Sequence, residues 1–121
     1  DILVCLLPLT SATQGLINKT LLMQLPKSSR IINFARGGII NTPELLHMLE
    51  LGHISHAVLD VFDHEPLSVN SELWQHPNIT VLPHISAPTN LNSACEIVAK
   101  NITRFRITGE IPQSVDKING Y

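Results

Sequence analysis

Ile31-Ile32-Asn33-Phe34-Ala35-Arg36-Gly37-Gly38 is an apolar run that stops on an arginine and two glycines. Four to six such residues bounded by a glycine pair read as a buried strand with a sharp turn behind it. Two further runs in the chain end the same way. Ala57-Val58-Leu59 closes on Asp60, with Glu65 five positions on, and Ile79-Thr80-Val81-Leu82-Pro83 closes on His84. If these runs are parallel strands, an arginine, two carboxylates and an imidazole converge on one rim. That rim is where ligands bind in open α/β sheets.

The segments between the runs support parallel strands. Ile2–Leu7 predicts a further strand stopped by Pro8, and a polar loop spans Thr10 to Gly15. Asn18 predicts a capped short helix with Leu21, Leu22 and Leu25 on one face, ended by Pro26. A second helix is expected to open at Thr42-Pro43, with threonine as cap and proline at the first helical position. Leu45, Leu46 and Leu49 form its apolar stripe, and Gly52 its stop. Ala57–Val61 and Ile79–Leu82 are the third and fourth strands. The long loop between them, His64 to Pro77, holds a turn of helix at Ser71–Trp74. The longest helix is expected from Asn92 to Thr108, where Ala94, Ile97, Val98, Ile102 and Phe105 recur at helical spacing. Gly109 ends it, and Ile111 to Tyr121 is a polar tail. Alternating strands and helices, with near-continuous apolar strands, predict an α/β fold: a parallel sheet with flanking helices.

Composition narrows the function. Among 121 residues, 44% are hydrophobic and 15% charged, which places the chain with globular rather than disordered proteins. A net charge of −2 without basic clusters leaves no stripe for nucleic acid and no polybasic membrane patch. No apolar run reaches the roughly 18–20 residues that cross a bilayer. Cys5 and Cys95 sit in a strand-like and a helix-like run, both reading as reduced core residues, which fits a cytoplasmic setting. The start inside an apolar run suggests a fragment whose first strand pairs with something further.

The rim residues carry chemistry that suits an acidic substrate. Arg36 is always charged, and its planar fork matches a carboxylate with two parallel hydrogen bonds. His84 can give and take a proton near neutral pH. Glu65 offers it a partner that fixes the tautomer and favours the protonated form. Asp60 could cap a backbone turn or accept a hydrogen bond from a ligand amide. The other histidines (His47, His53, His56, His64 and His76) read as solvated loop or helix residues and are assigned no role.

Asn33-Phe34-Ala35-Arg36-Gly37, then Leu59-Asp60-Val61-Phe62 to Glu65-Pro66, then Leu82-Pro83-His84-Ile85, resemble the D-isomer-specific 2-hydroxyacid dehydrogenases. Leu6-Leu7-Pro8-Leu9-Thr10 through Thr13 to Asn18 also looks like this family. Leu73-Trp74-Gln75-His76-Pro77 and the ending Val115-Asp116 to Gly120-Tyr121 look most like its glyoxylate/hydroxypyruvate reductase branch. The resemblance implies the second half of a Rossmann-type domain for NADP or NAD. It implies residues 1–90 as that half-domain with the catalytic motifs, and 91–121 as a helix and tail returning toward a substrate domain.

The resemblance also implies roles. Arg36 would hold the substrate's carboxylate and carbonyl, His84 would donate the proton, and Glu65 would orient His84. Asp60 would bind the nicotinamide carboxamide, and the backbone around Leu7, Pro8, Phe34, Ala35 and Ser86 would line the cofactor. The expected substrate is a small 2-keto or 2-hydroxy acid, and the full-length enzyme is expected to be a homodimer. The phosphate-binding G-x-G-x-x-G does not occur in these residues, so the isolated chain is expected to be inactive. Ser86-Ala87-Pro88 departs from the small residues and glycine that many relatives carry there. Two other outcomes are a non-catalytic, NAD-regulated dehydrogenase-like binding protein and a truncated product that needs its missing half.

Overall fold

The computed structural model describes residues 1–117 and 120. Tyr121, the last residue of the quoted ending, and tail positions 118 and 119 lie outside the described residues. The chain divides into two compact units, Asp1–Ser86 and the remainder from Ala87.

The first unit is built on four strands among the described residues: β1 (Ile2–Cys5), β2 (Ser29–Asn33), β3 (Ile54–Leu59) and β4 (Ile79–Val81). They lie side by side in chain order and every neighbouring pair is parallel. Parallel neighbours force each connection to cross back over the sheet, and α1 (Lys19–Leu22) and α2 (Thr42–Glu50) do this. The register sets Val4 beside Ile32 and Ile32 beside Val58, so apolar residues stack across the sheet.

Residues of alternate parity point to opposite faces of a strand. One face presents Ile31 and Ala57, and Ile54, offset by the register shift between Ser29 and Arg30, is buried with them among Leu22, Leu45, Met48 and Leu49 of the helices. Removing each such isoleucine, leucine or methionine side chain from water is worth roughly 1.5–3 kcal/mol. On the other face Ile2 and Val4 remain 57% and 47% exposed, and no helix of this unit covers them. The edge of β1 is thus apolar and open among the described residues.

Helix termini follow side-chain chemistry. Asn18 Oδ1 accepts from the Leu21 N–H, capping α1 as expected. The cap of α2 is Asn41, one residue before the expected Thr42: Asn41 Oδ1 accepts from the Glu44 N–H at 3.2 Å. Thr42 is already helical, and its hydroxyl donates instead to Asp63 on the loop after β3. Asparagine is as good a cap as threonine, and its position lets Thr42 tie two loops together. The expected turn at Ser71–Trp74 is a 3₁₀ turn, Glu72–Trp74, with Ser71 as its cap.

The second unit contains α3 (Leu91–Thr108), capped by Asn90 and closed by Gly109 in the left-handed conformation. Its apolar stripe recurs at helical spacing as expected, and none of its residues is buried; Ile97, Val98, Ile102 and Phe105 are each at least half exposed. Cys95 shares that exposure, which corrects its reading as a core residue, whereas Cys5 is buried at the end of β1. His56 also departs from expectation. It stands on β3 rather than on a loop or helix, with Nε2 2.9 Å from the Thr80 hydroxyl on β4.

Candidate active site

Because β2, β3 and β4 are parallel, their carboxyl ends open on the same rim. Arg36 stands three residues past β2, Asp60 one past β3, and His84 three past β4. Arg36, Glu65 and His84 line one cleft of about 880 Å³. The three residues read as catalytic are therefore brought together.

The arginine loop is short and heavily tied. Arg36 is the residue before a 3₁₀ turn, Gly37–Ile39. A Cβ on Gly37 would run into the Phe62 carbonyl and the Asp63 amide of the loop after β3. Only glycine lets these two loops touch, and their contact sets Arg36 beside the segment that carries Glu65. Arg36 Nη1 donates to the Ala35 carbonyl at 2.7 Å.

Glu65 Oε2 accepts from His84 Nδ1 at 2.8 Å, and Oε1 accepts from the Phe62 N–H at 2.9 Å. The hydrogen bond from His84, then that from Phe62, and the positive charges of His84 and Arg36 hold the Glu65 carboxyl below its ordinary value, against a smaller effect of burial. The carboxylate is thus charged at neutral pH, and the imidazole that faces it carries its Nδ1 proton. His84 Nε2 remains as the other protonation site of the half-exposed ring.

His84 adopts a positive φ of 56°, in the left-handed region that side chains disfavour by roughly 1–2 kcal/mol. Asp60 supplies the compensation. Its two carboxylate oxygens accept from the next two backbone amides, Ile85 N–H at 3.0 Å and Ser86 N–H at 2.9 Å. Successive N–H groups after a left-handed residue form a concave anion site, and a carboxylate fills it here. Asp60 is 2% exposed. Burial pushes its carboxyl up, but the amides of Ser86 and Ile85, the Ser86 hydroxyl and the charge of His84 together bring it below its ordinary value.

The residues read as cofactor-lining divide. Leu7, Pro8, Phe34 and Ser86 are exposed at the rim, with Leu7 44% and Phe34 37% accessible. Ala35 is buried, and its N–H and C=O are bonded to Asn33 Oδ1 and Arg36 Nη1. Exposed apolar surface at the rim suits the flat nicotinamide ring. The residues fit that end of the cofactor, whereas no glycine fingerprint for its diphosphate occurs in the chain. Sequence reading gave no role to Asn33, and it read Gly37 only as part of a sharp turn, whereas the space beside Gly37 is taken by the Phe62–Asp63 backbone. A polar side chain ending an apolar strand was the available signal.

The family model for the D-isomer specific 2-hydroxyacid dehydrogenase NAD binding domain matches residues 1–86, the whole first unit and every rim residue. The chain belongs to the D-isomer specific 2-hydroxyacid dehydrogenase family. Among similar proteins, glyoxylate/hydroxypyruvate reductase A of Klebsiella pneumoniae subsp. pneumoniae is 41% identical over 99% of this chain and 38% of its own length. A crystal structure of an NADPH-dependent glyoxylate/hydroxypyruvate reductase from Sinorhizobium meliloti, with NADP and sulfate, superposes with TM-score 0.94 at 37% identity. It covers 100% of this chain and 40% of that one. A D-isomer specific 2-hydroxyacid dehydrogenase from Xanthobacter autotrophicus Py2, in complex with NADPH and MES, gives TM-score 0.93 at 39% identity over 99% of this chain and 50% of that one. The chain thus spans about two fifths of the length of the curated relatives it matches. Among the described residues no helix is long and apolar enough to cross a membrane.

Proposed function

We propose that this chain carries the catalytic rim of an NADP- or NAD-dependent reductase of a short 2-keto acid, glyoxylate or hydroxypyruvate. The observation that carries the reading is the 2.8 Å His84–Glu65 pair opening on the cleft that Arg36 shares. Arg36 binds the substrate carboxylate through its planar fork and reaches the neighbouring carbonyl. His84 Nε2–H donates to the carbonyl oxygen. A nicotinamide bound against the exposed Leu7, Pro8, Phe34 and Ser86, with the buried Ala35 left out of contact, would supply the hydride. As hydride reaches the carbonyl carbon, the oxygen takes the Nε2 proton, leaving a 2-hydroxy acid and a neutral imidazole still bonded through Nδ1–H to Glu65. Arg36 and protonated His84 stabilise the charge that gathers on the oxygen, a contribution of about 3 kcal/mol for one well-placed donor. Asp60, expected to bind the nicotinamide carboxamide, is buried with both carboxylate oxygens on the Ile85 and Ser86 amides, so it acts instead by holding the His84 loop.

In the full-length protein, residues 1–90 complete the cofactor domain and 91–121 lead toward the substrate domain. A cytoplasmic homodimer is the expected state. NADPH and NADP in the similar crystal structures favour the phosphorylated cofactor.

The test is cofactor oxidation by the full-length enzyme with glyoxylate and hydroxypyruvate. His84→Gln is expected to lower kcat by about 10²–10⁴-fold, the usual worth of a general acid, with KM changed far less. Unchanged turnover in His84→Gln would remove the histidine from the mechanism.

A further inference from the structure

Asn33 is 1% exposed, and it ends a strand whose buried face also carries Ser29 and Ile31. Both ends of its amide are engaged. Oδ1 accepts from the Ala35 N–H at 3.0 Å, and Nδ2 donates to the Arg36 carbonyl at 3.0 Å. The same Arg36 carbonyl also accepts from the Ile39 N–H, which starts the 3₁₀ turn. The Asn33 backbone carbonyl accepts from the Asp60 N–H at 3.1 Å. One residue therefore fixes the peptide groups on both sides of the Ala35–Arg36 bond and anchors the strand end that carries Asp60.

We propose that Asn33 is a positioning residue for Arg36: its buried amide pins the arginine loop so that the guanidinium meets the substrate carboxylate without rearranging. Arg36 has extended backbone, φ −144° and ψ 142°, between β2 and the 3₁₀ turn. No strand pairing holds it there; the Asn33 amide and the Ile39 N–H on its carbonyl, with the Gly37 contact beside it, do. A side chain with one donor and one acceptor at this spacing is asparagine alone among residues of its size. Leucine would fill the volume and leave the Ala35 amide unpaired. Aspartate would accept from Ala35 but set an oxygen against the Arg36 carbonyl.

The proposal rests on Arg36 binding substrate, and a double-mutant cycle in the full-length enzyme separates the two. Asn33→Ala is expected to lower kcat/KM for glyoxylate by about 10- to 100-fold, the cost of misplacing a binding group by a fraction of an ångström to one ångström. KM should rise as kcat falls. A loss of folded enzyme would lower apparent kcat alone. In the Arg36→Ala background the same change should cost no more than about twofold, because residues acting through one another are not additive. Asn33→Ser, whose small neutral hydroxyl can bond to one of the two peptide groups, should give a smaller loss that likewise vanishes without Arg36, and it serves if Asn33→Ala fails to fold. Equal losses in both backgrounds would overturn the positioning role and leave the arginine reading intact. An Arg36→Ala enzyme with unchanged kcat/KM would overturn both.

Discussion

At the scale of single residues, the site works through pairs rather than isolated groups. Glu65 is held below its ordinary value first by the hydrogen bond from His84, so the pair is charged on the carboxylate side at neutral pH. The 2.8 Å bond to the Glu65 carboxylate fixes which nitrogen of the His84 ring carries the proton. A glutamine amide in its place can present either an oxygen or an NH2 to that nitrogen, so Glu65→Gln is expected to lower kcat of the full-length enzyme by about 10-fold or more with KM changed far less. Steady-state kinetics check this, and an unchanged kcat would break the pairing.

At the scale of elements, each side chain proposed as catalytic sits on a loop that a parallel strand delivers to the rim, and the loops hold one another. Gly37 touches the Phe62–Asp63 backbone so closely that any side chain must push the two loops apart. Gly38, one residue on, would place a Cβ 3.4 Å from the flexible Leu9 side chain. Gly37→Ala is therefore expected to destabilise the fold by about 1–3 kcal/mol and to separate Arg36 from Glu65, with a large fall in kcat/KM. Gly38→Ala should be close to neutral in both. Thermal unfolding and steady-state kinetics of the two variants decide it; similar behaviour of both would contradict the close-approach account.

At the scale of the whole molecule, stability should depend on the carboxylates beneath the rim. Asp60 and Glu65 both lie below their ordinary values when folded. A depressed carboxylate contributes stability that is complete above its unfolded value and is lost as pH falls through its folded one. Thermal unfolding temperature is thus expected to hold from neutral pH down to the ordinary carboxylate range and then drop. Asp60→Asn should start lower and show a shallower drop. Glu65, more exposed, adds less because solvent screens it. Melting curves across acidic pH measure this, and parallel curves for wild type and Asp60→Asn would contradict it.

The sequence by itself determined the alternation of strands and helices, the parallel sheet and the rim it creates. Those follow from apolar periodicity and from where Arg36, Asp60 and His84 interrupt it, and such signals are local. Cap positions and burial were less legible. Asn41 and Thr42 are both good caps, and α3 carries a helical apolar stripe that nothing among the described residues buries. Only the tertiary structure decided which polar groups hold the site. The Asp60 carboxylate meets amides 25 and 26 residues away, and Gly37 matters because of the Phe62 carbonyl. The Asn33 amide acts within its own loop, yet its worth depends on burial that packing creates. Periodicity is a property of neighbours along the chain. The desolvation that turns a carboxylate or an amide into a bracket comes from neighbours in space.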